Sequence, residues 1–130
     1  MPDEHQLAYL HRIDNVLFSH GGLADDFVRK TVPPKLYNDA DAVISTINSF
    51  GPYVMWHNLS PLWYRPQYDR ERPYKPNKYL QVVGHTPVKK IEKGGNVFFC
   101  DVFSTYRNGI PIGTQEYLLL DTETWQYRGI

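Results

Sequence analysis

Two histidines stand where short apolar runs end. VLFS runs into His20-Gly21-Gly22, and LQVV runs into Gly84-His85-Thr86-Pro87. Both runs are bounded by turn residues and read as buried strands. In open α/β sheets, ligands collect at strand ends. A neutral imidazole there suits Zn, Mn or Fe, and small neighbours give access. A strand-end histidine also serves as an ordinary hydrogen-bonded turn residue, and spacing alone does not separate the two roles. A dinuclear site needs bridging carboxylates as well. Asp14, Asp25, Asp26 and Asp101 are available, but none stands at a ligand-like spacing from either histidine.

The elements that position these residues follow from pattern. The stretch 3–12, DEHQLAYLHR, is compatible with a helix that places Leu7 and Leu10 on one face, and Asp14-Asn15 breaks it. TVPPK is a breaker. Asn38 or Asp39 caps a helix whose stripe is Val43, Ile44, Ile47 and Phe50, and Gly51-Pro52 stops it. From Met55 to Tyr79 the chain is rich in Pro, aromatics and Arg without clean periodicity, which predicts a long ordered loop of functional kind. NVFFCDVF, EYLLLDT and WQYRGI read as strands, the last two joined by a turn at DTET.

Composition narrows the classes. The chain has 130 residues, enough for one domain with a core, and zero formal net charge argues against tracking a nucleic-acid backbone. One cysteine, Cys100, permits no internal disulfide and fits a reducing compartment. MPDEHQ lacks the features of a secretory signal, and no apolar stretch approaches the roughly 20 residues of a membrane span. The expectation is a cytoplasmic protein without membrane or nucleic-acid partners.

The ordered set SHGGL, LWYRP, VVGHTP, NVFFCDVFS and EYLLLDTET resembles the carboxy-terminal half of calcineurin-like metallophosphoesterases. The bacterial and phage serine/threonine phosphatases and the diadenosine tetraphosphatases are the most similar in look. The resemblance runs from about Asn15 to the end. It implies an α/β (α+β) fold, half of a β-sandwich flanked by helices and mostly one mixed sheet. It implies His20 and His85 as metal ligands, divalent metals (Mn, Fe or Zn, dinuclear in the complete enzyme), and Arg65 facing the substrate phosphate. A planar guanidinium suits that task. The other reading of Arg65 is a surface residue stacked on a neighbouring Tyr or Trp.

The departure from the family is large. Its Asp-x-His, Gly-Asp-x-x-Asp and Gly-Asn-His-Asp/Glu motifs have no counterpart in context, and Asp3-Glu4-His5 matches by letter only. Residues 1–130 thus read as one partial metallophosphoesterase domain: a fragment, a truncated product or one part of a split protein. The implied activity is hydrolysis of a phosphate ester on a protein or a nucleoside polyphosphate, nearly lost in isolation. Self-association or a complementary amino-terminal half is expected, because half a sandwich leaves an edge and an apolar face open. The alternative is a non-catalytic interaction domain using the aromatic loop Trp56–Tyr79.

Six other residues carry weaker expectations. His57 suits a capping role. Asp101 supports GHTP or caps a turn. Lys89, Lys90 and Lys93 form a solvated face, and Cys100 is a small buried hydrophobe.

Overall fold

A computed structural model describes residues 8–130. A five-stranded mixed sheet contains β1 (Leu10–Ile13), β2 (Val16–Ser19), β3 (Leu80–Val83), β4 (Glu92–Gly94) and β5 (Val97–Phe99), in the order β1-β2-β3-β5-β4. The three central strands β2, β3 and β5 run parallel, and each edge strand is the antiparallel hairpin partner of its neighbour. A separate hairpin pairs β6 (Leu118–Leu120) with β7 (Tyr127–Gly129). This is the α/β class that the family resemblance implied, with one mostly mixed sheet.

Parallel neighbours need a long crossover. Between β2 and β3 the chain forms α1 (Asp25–Thr31), a single 3₁₀ turn, α2 (Ala40–Asn48), α3 (Pro52–Met55) and the long loop. In α1, Asp25 and Asp26 occupy the first turn and Arg29 and Lys30 the last, which complements the helix dipole. Two i,i+4 ion pairs follow, Asp25–Arg29 at 2.7 Å and Asp26–Lys30 at 3.0 Å. In α2 the Asp39 carboxylate caps the Ala42 N–H at 3.1 Å, and Val43 and Ile47 are buried as their spacing requires. That helix ends at Asn48, before Gly51-Pro52, and Pro52 instead opens α3 at the position where its missing N–H costs nothing.

The helix expected over residues 3–12 is corrected where the structure describes it: Leu10–Ile13 is a strand. Tertiary pairing overrides local pattern there. Asp14 adopts a left-handed φ of 53°, which folds Leu10–Ile13 back onto Val16–Ser19. The Asn48 side chain of α2 then brackets Leu10, accepting from its N–H at 3.0 Å and donating to its carbonyl at 2.9 Å. Residues 3–7 lie outside the described part.

Alternation along the strands gives the sheet two packed faces. Leu10 and Leu17 face the helices, among Phe27, Val28, Val43 and Ile47. Val16, Leu80 and Phe98 face the other way, under Leu118, Leu120 and Trp125 of the terminal hairpin region. Exposed apolar side chains collect further out, at Tyr117, Leu119 and Ile130.

Candidate functional site

Parallel pairing of β2 with β3 puts Ser19 opposite Val83, so both chains leave the sheet at the same end. The Gly84 N–H donates to the His20 carbonyl at 2.8 Å and continues the register beyond the strands. His85 takes a left-handed φ of 68°, which turns its ring back across this junction. The result is direct contact: His20 Nε2 lies 2.8 Å from His85 Nδ1, with ring centroids 4.6 Å apart. One ring must donate and the other accept. His20 is exposed at the rim, and His85 is half-buried behind it. Burial holds the His85 pKa below the ordinary histidine value, helped by His20 and by the Arg65 guanidinium. His85 is therefore a neutral imidazole at neutral pH.

Three polar atoms around this junction are buried without a hydrogen-bond partner: Ser19 Oγ, His85 Nε2 and Thr86 Oγ1. Buried polar groups are normally paired, and an unmade bond costs about 1–3 kcal/mol. Three such atoms within two adjoining tetrapeptides mark a place that expects another group.

The glycines after His20 admit the chain itself. Gly21 N–H donates to the Pro61 carbonyl at 2.6 Å. A Cβ on Gly21 would stand 2.7 Å from the Tyr64 carbonyl and 2.9 Å from that of Pro61, so only glycine fits. Gly22 has φ +115°, a conformation that side chains rarely adopt. Next along the chain, Leu23 is tied to β3 by one side chain. The Gln81 amide accepts from the Leu23 N–H at 2.7 Å and donates to its carbonyl at 2.9 Å.

This clamp seats the Trp-Tyr-Arg segment. Ser60 is buried and its Oγ donates to the Met55 carbonyl, while its own carbonyl accepts from the Trp63 and Tyr64 N–H groups. Tyr64 is fully buried, with its hydroxyl donating to the Glu71 carbonyl at 2.6 Å. With Tyr64 anchored inward, Trp63 and Arg65 on either side are left exposed. Asp69 fixes the turn by accepting from the Arg65 N–H at 2.8 Å. Trp63 meets the His85 ring edge-on at 6.0 Å and stacks with Trp56 at 5.4 Å.

The structure therefore brings His20 and His85 into contact, with Arg65 beside them as an electrostatic neighbour of His85. His57 has the expected local role: its Nδ1 accepts from the Leu59 N–H at 3.1 Å. The Asp101 carboxylate accepts from the Ser104 N–H and hydroxyl, which is the turn-cap reading, and only its backbone carbonyl reaches back to Val88. Lys89, Lys90 and Lys93 are exposed. Burial pushes the Cys100 thiol up to about 11, so it behaves as an apolar group. Ser19, Thr86, Gln81 and the stacking of Trp56 on Trp63 escape the sequence reading. Gln81 alone had a signal, as one amide within an apolar run.

No protein-family model matches the chain, and no curated protein matches it. Among solved structures it is similar to a cold-active protein-tyrosine phosphatase of a psychrophile, Shewanella sp. The match has 14% identity and a TM-score of 0.51, over 94% of this chain and 42% of that one. A mutant and a further structure of a cold-active protein tyrosine phosphatase match at TM-score 0.50 and 14% identity, again over 94% of this chain. The chain thus spans less than half the length of these neighbours and shares the fold of that part.

Two expectations are corrected by these findings. The structures that share the fold are protein-tyrosine phosphatases, so the calcineurin-like metallophosphoesterase assignment is not kept. The divalent-metal centre falls with it: among the described residues no group of three or more His, Cys, Asp and Glu side chains converges. His20 Nε2 and His85 Nδ1 lie against each other at 2.8 Å. No helix among the described residues is long and apolar enough to cross a membrane.

Proposed function

We propose that this chain is part of a phosphoester hydrolase and forms the rim that receives the phosphoryl group. The observation that carries the reading is the contact of His20 with His85 at the ends of adjacent parallel strands, ringed by unpartnered polar atoms. Arg65 stands close enough to His85 to depress its pKa, and its planar fork suits two phosphoryl oxygens. His20 is the exposed member of the pair and meets the ester. There it can give or take a proton, a contribution typically worth about 10²–10⁴-fold. His85 is a positioning residue: burial keeps it neutral, so the shared hydrogen bond orients the His20 ring.

A phosphomonoester on a protein is the substrate this reading favours, in keeping with the titles of the structures that share the fold. Hydrolysis also needs groups from the part of the fold that this chain does not span, so the 130-residue chain binds phosphate and turns over esters slowly or not at all. The test is titration with inorganic phosphate, followed by the imidazole C–H signals of His20 and His85 in NMR spectra. Saturable shifts at both, weakened in Arg65→Ala and His20→Ala, are expected. Unmoved imidazole signals at millimolar phosphate would refute the reading.

A further inference from the structure

We infer that a second binding site lies away from the strand-end histidines, in the groove between the end of α1 and the 3₁₀ turn, and that Arg29 there takes the carboxylate of a small apolar ligand. The inference is independent of the phosphate reading of His20, His85 and Arg65.

The groove follows from two prolines. Pro33 and Pro34 cannot continue α1, so the chain leaves the helix through an extended Val32 and turns at Pro34–Leu36. This fold-back leaves a cavity of about 280 Å³, lined by Val28, Arg29, Val32, Pro34, Tyr37 and Asn38. Val28 and Val32 are buried and form an apolar floor. The volume is just under the roughly 300–1,000 Å³ of pockets for drug-sized molecules, so it suits a small ligand.

Arg29 is held in place at this groove. Its Nε donates to the Asp25 carboxylate at 2.7 Å, and its guanidinium lies over the Tyr37 ring at 4.4 Å. Tyr37 is itself anchored twice: its hydroxyl donates to Asp25, and its carbonyl accepts from the Tyr74 hydroxyl. Asp25 engages the guanidinium through Nε, and among the described residues neither terminal nitrogen of Arg29 has a hydrogen-bond partner. The side chain is 54% exposed, so a ligand can reach it. Those two nitrogens form a planar fork that matches a carboxylate. A fork already fixed by Asp25 and Tyr37 loses little freedom on binding.

Local charge agrees. Arg72 lies 3.5 Å from Asp25, and the Lys75 ammonium 5.4 Å from the Tyr37 ring centre. Three cations therefore surround one buried carboxylate. Asp39, beside Asn38, is turned to the α2 N–H that it caps. The floor decides against a bare inorganic anion, because buried valine surface gains only from an apolar body. Two sources carry this chemistry: a free aliphatic acid and the carboxyl-terminal residue of a peptide.

The experiment titrates the intact chain with hexanoate, acetate and hexanol. It follows the methyl signals of Val28 and Val32 and the Arg29 Nε–H signal in NMR spectra. Hexanoate should bind at least about tenfold tighter than acetate, which is too short to cover the floor, and than hexanol, which lacks the charge. Arg29→Gln should bring hexanoate to the level of hexanol. Arg29→Lys keeps a cation beside Asp25, and with it the fold, and should weaken hexanoate severalfold; the amide spectrum checks both variants. N-acetyl-leucine separates the sources. Tighter binding than hexanoate assigns the site to a peptide's carboxyl terminus, and weaker binding assigns it to a free acid; either upholds the carboxylate site. Hexanoate no tighter than acetate or hexanol overturns the inference. So does hexanoate binding unchanged in both Arg29 variants, or valine methyl signals that move as far with inorganic phosphate.

Discussion

Replacing Gln81 with Leu isolates the clamp behind the candidate site. Gln81 sits 1% exposed in the middle of β3, and its amide satisfies both backbone groups of Leu23, itself fully buried. Leucine matches it closely in volume but offers neither donor nor acceptor. The Leu23 N–H would then lack a partner, at about 1–3 kcal/mol, while its carbonyl would keep the bond from the Tyr74 N–H at 2.8 Å. The added apolar burial returns about 1–2 kcal/mol. Counting the lost second bond at the carbonyl as well, the net loss is about 1 kcal/mol, out of the roughly 5–15 kcal/mol that holds a domain together. With a urea m-value of about 2 kcal/mol per molar, the unfolding midpoint should drop by about 0.5 M. Tryptophan fluorescence reports the transition through three Trp residues. Amide exchange gives a local check, because the Leu23 N–H should lose protection before its neighbours in α1. Gln81→Glu should fare no better, since a carboxylate cannot donate to the Leu23 carbonyl and its charge would be buried. A Gln81→Leu midpoint within about 0.2 M of the parent, with Leu23 still protected, would refute the reasoning.

Three further outcomes are expected. Gly21→Ala drives a Cβ against the Pro61 and Tyr64 carbonyls, which are backbone and cannot swing aside. It should cost about 1–3 kcal/mol in thermal or urea unfolding and displace the Trp63 and Arg65 signals, and an unchanged spectrum would contradict the clamp. Arg65→Ala removes a cation that lowers the His85 pKa, so the His85 NMR titration midpoint should rise toward the ordinary histidine value; a fall or no change would place the guanidinium elsewhere. Asp25 is the acid-sensitive group of α1. Burial pushes its carboxyl up, but hydrogen bonds from Tyr37 and Arg29 and the charges of Arg29 and Arg72 outweigh this and hold it below the usual value of 3.8. A lowered folded pKa contributes stability at pH values above 3.8 that is lost as pH falls through the folded value. Asp25→Asn should therefore lower stability at pH 7 by about 1–3 kcal/mol and flatten the acid limb of stability against pH. An acid limb as steep as the parent's would assign that sensitivity to another group.

Several elements were legible in the chain because their causes are local. Short apolar runs bounded by turn residues marked β2, β3 and β5. A capping Asp39 before a 3.6-residue stripe marked α2, and DTET between two apolar runs marked the last hairpin. Placing His20 and His85 at strand ends needed no more than those runs. Residues 10–13 misled for the same reason: their spacing satisfies a helix, while a turn at Asp14 and the side chain of Asn48 make them a strand. The family motifs misled in another way, since short glycine- and histidine-bearing strings describe strand ends in general.

What the sequence by itself determined was β2, β3, β5, α2 and the last hairpin, with the chemistry of the residues at their ends, because periodicity, capping and proline act within a few residues. The tertiary structure decided which ends meet. Parallel pairing across a sixty-residue crossover set two imidazoles 2.8 Å apart. Glycine at position 21 let a distant loop close onto the strand end, and one buried amide at Gln81 tied the adjoining Leu23 to β3. Such contacts depend on register and close approach between segments remote in the chain, and no local pattern encodes them.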